Sequence, residues 1–287
     1  MGVKIIDTFK DFEECFKDKL DASVEDKIDL WEKCYISKYP ELENKCKKDY
    51  ENIGYDWRDI ASTMVFNRTK NDFSKMKEAY SNILSIICDI NEKVEEVFRL
   101  TIDINVVLYA GLCNSAGWVD FYGGKRAVLF GIDKIAELGW HTMGKLQSLA
   151  AHELCHVIHF QLRGEDNLPD GVERNNYNIG IWRIYEEGFA QYFQNKLLLN
   201  EIDSRGKEWI LKCNENTKEL KRLYLEALQD NDIGVRNFFG DWFQVLGISD
   251  AGYFLGSGLI KRLDKRYGIE LTAKLSFSDI KDEVLAF

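Results

Sequence analysis

The apolar residues of this chain change their spacing twice, and no other feature limits its fold as strongly. Over the first hundred residues they recur at three and four positions, as in Phe9–Phe16, Ile28–Cys34 and Ile83–Phe98, with Lys, Glu and Asp between them. That is the period of helices with one buried face. Thr101–Leu112 (TIDINVVLYAGL), Gly117–Tyr122 (GWVDFY) and Ala127–Asp133 (AVLFGID) are instead rich in β-branched and aromatic residues, with turn chemistry at Asn114-Ser115 and Gly123-Gly124. They read as three short strands, the last two a hairpin. After Gly144 the helical period returns and holds to the end, apart from Arg163–Gly180, whose Pro169 and three glycines mark a long loop. The expected fold is α+β and mostly helical. A helical region covers residues 1–100, and a domain covers 101–287 with a small twisted sheet over 101–135 and helices over 145–200 and 201–287.

Composition narrows the function classes. With 287 residues, 45% of them apolar, the chain can bury a sizeable core. Asp and Glu outnumber Lys and Arg by 48 to 38, for a formal charge of −10 and a pI near 5.1. Such a balance suits a phosphate backbone poorly, so no nucleic-acid partner is expected. The seven cysteines are odd in number and form no C-x-x-C pair, which does not read as a disulfide framework and favours a reducing compartment. The start MGVKIIDTFKDFEEC lacks the apolar core of a signal peptide, and Ile6 stands where a myristoylation motif needs Ser or Thr. The longest apolar run, Ile104 to Cys113, is interrupted by Asn105 and too short to cross a bilayer. A soluble cytoplasmic protein with no membrane partner is expected.

Only four histidines occur, and three of them fall in the window His152-Glu153-Leu154-Cys155-His156-Val157-Ile158-His159. Its first five residues spell H-E-x-x-H within Leu146–Leu162, a run of helix formers without a breaker. Residues four apart on a helix lie one turn up and about 40° round, so His152 and His156 can converge on one ion. Glu153 flanks the same face and can reach a metal-bound water without being a ligand. The motif alone also occurs by chance. Here the flanks Leu149, Ala150, Ala151, Leu154, Val157, Ile158 and Phe160 are apolar, and burying two imidazoles and a carboxylate on such a helix is costly unless something pairs them.

A catalytic zinc site needs a third protein ligand and an open fourth position. The metzincin extension H-E-x-x-H-x-x-G-x-x-H fails, because His159 and Leu162 stand where Gly and His are required. A glutamate from a second helix remains, and Ile181–Leu199 (IWRIYEEGFAQYFQNKLLL) offers Glu186 and Glu187. With this pattern the chain resembles the gluzincins, H-E-x-x-H metallopeptidases with a downstream glutamate ligand. More narrowly, it resembles bacterial predicted zinc proteases in which that glutamate opens an E-G-x-A segment. The resemblance selects Glu187, directly before Gly188, over Glu186, and implies one Zn²⁺ per chain on His152, His156 and Glu187. The small Gly188 and Ala190 would let this helix approach the first closely.

Two weaker segments fit the same family, and the resemblance spans Gly123 to Gly268. Gly123–Ala136 (GGKRAVLFGIDKIA) resembles the turn and strand before the active-site helix, with Val128–Ile132 either an edge for an extended peptide or a plain core strand. Ala251–Gly268 (AGYFLGSGLIKRLDKRYG) resembles the late gluzincin helix that supplies a tyrosine to the oxyanion, which nominates Tyr253 against a simple packing role. His159 lies about 10 Å of helical rise from His152 and cannot share its ion, so it is a supporting or core histidine. Cys155 reads as a small buried hydrophobe, and His141 as structural or surface. Gln191, four after Glu187, could orient a ligand imidazole. No G-x-S-x-G, Walker or dinucleotide fingerprint occurs.

The expected activity is zinc-dependent hydrolysis of a peptide or protein substrate, with Glu153 as general base and Tyr253 at the oxyanion. Endo- or oligopeptidase action is favoured, since no G-x-M-E-N segment would anchor a free N-terminus. The alternative is a zincin-like binding or regulatory module without activity, suggested by residues 1–100 having no catalytic role. A purely structural zinc would close its fourth position with Cys or His, and the nearby Cys155 is on the wrong face.

Overall fold

The computed structural model describes residues 2–164, 168–198, 203–240 and 242–286. The fold is α+β and mostly helical, as the spacing predicts. Its residues group into two compact units, Met1–Ala150 and Ala151–Phe287, whereas the change of spacing suggests a boundary after residue 100.

The first unit opens on β1 (Val3–Asp7), followed by α1 (Phe9–Phe16), α2 (Val24–Asp29), α3 (Pro40–Glu51), α4 (Trp57–Ile60) and the long α5 (Thr69–Phe98). Local chemistry starts these helices. Ser23 accepts from the Asp26 amide ahead of α2, Asp56 from the Arg58 amide ahead of α4, and Pro40 occupies the first turn of α3. The expected Ile28–Cys34 helix is α2 running on into a π-helical turn, Leu30–Tyr35. Then come β2 (Ile104–Tyr109), β3 (Gly117–Tyr122), β4 (Lys125–Gly131) and α6 (Ile132–Glu137).

The four strands run in the order β1-β2-β4-β3. β1 and β2 are parallel, β2 and β4 are parallel, and β3 and β4 form the expected antiparallel hairpin. Tyr122 pairs with Lys125 across Gly123-Gly124, whose φ values of 61° and 72° suit glycine at both turn positions. β1 is a strand where helical spacing was the expectation. β4 is paired on both sides, so Val128–Ile132 is no free edge for a peptide, and Ile132 already begins α6. Every residue of β2 is buried, as suits a strand covered on both faces. The Trp31 indole donates to the Ala110 carbonyl and the Tyr50 hydroxyl to that of Leu112, tying helices to the end of β2.

Cys15 of α1 and Cys34 of the π-helical turn form a disulfide. The cysteine count, which does not read as a disulfide framework, misses this bond: α1 packs against that turn and brings together residues with no motif spacing. Disulfides persist in oxidising compartments, so the cysteine argument for a reducing one no longer holds. No helix among the described residues is long and apolar enough to cross a membrane.

α7 (Met143–Arg163) contains the division between the units. The second unit continues with α8 (Asn176–Leu198), α9 (Lys207–Glu215), α10 (Thr217–Ala227), α11 (Ala251–Ala273) and α12 (Phe277–Leu285). The expected loop Arg163–Gly180 is shorter than its composition suggests, because Asn176–Gly180 is the first turn of α8. Residues 165–167 of that loop, and Leu199 of the expected helix, lie outside the described residues. Helix does not hold throughout: residues 228–250 contain, among the described ones, a short turn at Arg236–Phe238 and an isolated bridge between Val245 and Ile248.

α8 packs most extensively on α11. At their crossing a Cβ on Gly188 would lie 2.4 Å from the Gly256 backbone, and one on Gly256 would lie 2.3 Å from the Ile184 carbonyl oxygen. Gly188 thus serves the approach of α8 to α11, not the expected approach to α7. Gly188→Ala must push two backbones apart and is expected to cost about 1–3 kcal/mol, read as a lower urea midpoint.

Candidate metal centre

Three side chains of the second unit converge as the sequence predicts. His152 and His156 stand one turn apart on α7, and Glu187 reaches them from α8. The two Nε2 atoms are 3.2 Å apart, and each lies 3.3 Å from Glu187 Oε2. This buried group could hold a metal ion. The three side chains keep 11%, 12% and 17% exposure, so the centre is not sealed from solvent. Glu186, half-buried next to Glu187, is outside the group.

The orientation of His152 is set from behind. Its Nδ1 donates to Gln194 Oε1 at 3.2 Å, which leaves the Nε2 lone pair facing Glu187 and His156. Such a partner selects the ligating tautomer and holds the ring. Spacing points to Gln191 for this task, but Gln191 Nε2 donates to Asp203 Oδ2 at 2.6 Å. Gln194 is one further turn along α8, and the structure assigns the contact to it. Gln194→Ala is therefore expected to weaken metal binding by about 10–100-fold, measured by competition with a chelating dye. Gln191→Ala should leave that affinity unchanged.

Charge within the group follows from burial and closeness. Burial works against ionisation of Glu187, yet the His156 charge and the hydrogen bond a protonated His156 donates hold its carboxyl well below the usual range. Burial alone would depress His156, but Glu187 beside it raises its pKa to about 9. Burial dominates at His152 and lowers it. In the absence of an ion, then, a proton on His156 neutralises the carboxylate between the rings. Glu153 is 6% exposed, and burial lifts its pKa to about 7. No hydrogen bond reaches its carboxylate among the described residues.

Tyr253 is near the group: its ring centroid lies 5.6 Å from that of His152. The Arg205 guanidinium stacks 4.2 Å from the centroid of this tyrosine ring. Arg205 is held by Asp250 Oδ2 at 2.9 Å and Gln191 Oε1 at 3.3 Å, and Asp250 Oδ1 accepts from the Gly240 amide at 2.7 Å. This network escapes a sequence reading, because its members are spread over residues 191–250 without a motif. His159 is fully buried, stacked 4.2 Å from the Phe189 ring and 3.3 Å from the Tyr185 hydroxyl. It is a core histidine joining α7 to α8. Cys155 is buried too, its thiol pushed up by burial, as expected of a small hydrophobe. His141 carries a hydrogen bond from Asn82 Nδ2 on its carbonyl, 2.9 Å away.

In comparisons with known proteins the chain matches no family model, no curated protein and no solved structure. The gluzincin resemblance therefore rests on the residues of the motif alone.

Proposed function

We propose that this protein is a zinc-dependent peptidase of the gluzincin type, acting as an endo- or oligopeptidase. The reading is carried by the triangle of His152 Nε2, His156 Nε2 and Glu187 Oε2. A tetrahedral site with bonds of about 2.0–2.1 Å has ligand-to-ligand edges of about 3.3–3.4 Å, and this triangle has edges of 3.2 and 3.3 Å. Two imidazoles and one carboxylate are also the donor set of a catalytic zinc with an open fourth position.

When bound, zinc would lower the pKa of a water and polarise the scissile carbonyl. The chain's own residues do the rest. Glu153, next to the ligand His152 but outside the triangle, takes the proton of the attacking water on its carboxylate. It then returns that proton to the leaving amine. A pKa lifted by burial favours the first half of this exchange, because the protonated carboxyl is the form the buried site tolerates better. The Tyr253 phenol, kept protonated by burial and by the Glu187 and Asp250 charges, donates a hydrogen bond to the developing oxyanion. Arg205, stacked on the tyrosine ring, positions it.

Metal content of the purified protein and cleavage of a mixed peptide library test the reading. About one zinc per chain with chelator-sensitive cleavage supports it. Zinc without cleavage of any peptide removes the enzymatic assignment, and absence of metal removes the centre.

A further inference from the structure

A second cleft in the same unit has a chemistry of its own. It encloses about 550 Å³ among α8, α9, α10 and α11, within the size range of small-molecule sites. None of His152, Glu153, His156 or Glu187 lines it. Its walls carry three cations, Lys221 of α10 and Lys261 and Arg262 of α11. Among the described lining residues one carboxylate stands against them, Asp203, which already accepts from Gln191 Nε2 at 2.6 Å and from the Arg205 amide at 2.8 Å. In a chain with a formal charge of −10, a cleft with a local excess of positive charge runs against the average.

The cations sit close enough to affect each other. Burial and then the Arg262 charge hold the Lys221 ammonium below the usual lysine range. An anion in the cleft would be attracted by all three cations. Trp209, Ile210, Phe254 and Leu255 give the cleft an apolar and aromatic part, beside the polar Asn214, Thr217 and Ser257. Asn195 also lines the cleft, and its side-chain oxygen is buried with no hydrogen-bond partner among the described residues, a polar group that a ligand could satisfy.

We propose that this cleft binds an amphipathic anion of small-molecule size, with its acidic head at Lys221, Lys261 and Arg262 and its apolar body against Trp209, Phe254 and Leu255. The site lies outside the metal triangle, shares Gln191 and Asp203 with the Arg205 network, and does not require the peptidase reading.

Gly258 provides a clean test. It lines the cleft, and a Cβ built there meets nothing within 4 Å, so a larger side chain can fill the space without a clash. It also lies inside α11, where replacing glycine favours the helix by up to about 1 kcal/mol. The probe is anilinonaphthalene sulfonate, an aromatic anion, titrated by fluorescence into the folded full chain with and without chelator. One saturable site is expected, unchanged by chelator. Gly258→Leu and Lys261→Glu should each weaken it by about tenfold or more, and neutral phenylnaphthylamine should bind by a similar factor less tightly. Lys261 is exposed, so its charge reversal keeps the test alive if the leucine variant does not fold. No saturable binding, binding unaffected by both variants, equal binding of the neutral analogue, or loss on chelation would each overturn the proposal.

Discussion

Glu153→Gln is expected to slow peptide cleavage by about 10²–10⁴-fold while the protein keeps its metal. Glutamine has the shape of glutamate but cannot accept the proton of the attacking water. Glu153 is outside the triangle of His152, His156 and Glu187, so its charge is not needed to hold the ion. The variant should also fold as well as wild type, and the sign of that comparison follows from burial. In the metal-stripped protein the Glu153 pKa is raised from 4.5 to about 7. Ionised Glu153 therefore costs stability, a cost absent below pH 4.5 and fully present above about 7. Glutamine never ionises, so the stripped variant should match the stripped wild type in acid and exceed it in mild alkali. Cleavage rate, metal content and urea midpoints at two pH values on the same preparations decide the matter. A variant that loses zinc and activity together would assign Glu153 to the ligands, and one that retains cleavage would remove it as the base.

The parts of this centre that were legible in the sequence are those a single helix determines. H-E-x-x-H on an unbroken apolar run can only be α7, and the i to i+4 spacing brings the two imidazoles together with no knowledge of the rest. Glu187 was legible through the E-G-x-A pattern, although Gly188 owes its small size to α11. Gln194 was not legible, because both it and Gln191 are at plausible spacings on α8. Only the tilt of α8 against α7 decides which amide reaches His152 Nδ1. The Arg205 network is less local still, since it joins a helix, a loop and the start of α11.

The sheet divides along the same line. β3 and β4 announce themselves through Gly123-Gly124, whereas β1 pairs with β2 across about a hundred intervening residues, and nothing near Val3–Asp7 signals that partner. The central place of β4 had a sequence sign: its residues Ala127–Gly131 are all buried, as a run apolar on both faces requires, where an exposed edge would alternate. The Cys15–Cys34 bond follows from the packing of α1, which cysteine counting does not register.

Replacing the third ligand should have the largest effect on metal binding. Glu187→Gln is expected to lower metal affinity by more than about 100-fold, beyond the range of partners that only orient ligands, and Glu186→Gln to leave it unchanged. The two glutamates are adjacent on one helix, share charge and helix propensity, and differ in that only Glu187 Oε2 is within 3.3 Å of both imidazole nitrogens. Stability separates them as well. An ion that binds only the folded state stabilises by about 2.7 kcal/mol at a hundred times its dissociation constant, so chelator should lower the melting temperature of wild type and of Glu186→Gln. In Glu187→Gln that stabilisation is already gone, and chelator should shift its melting temperature little. Without the carboxylate, His156 also loses the largest of the charges that raise its pKa to about 9, and its proton is held less tightly. A Glu187→Gln protein that binds metal as wild type does, or a Glu186→Gln protein that does not, would move the ligand by one residue and break the match to the E-G-x-A pattern.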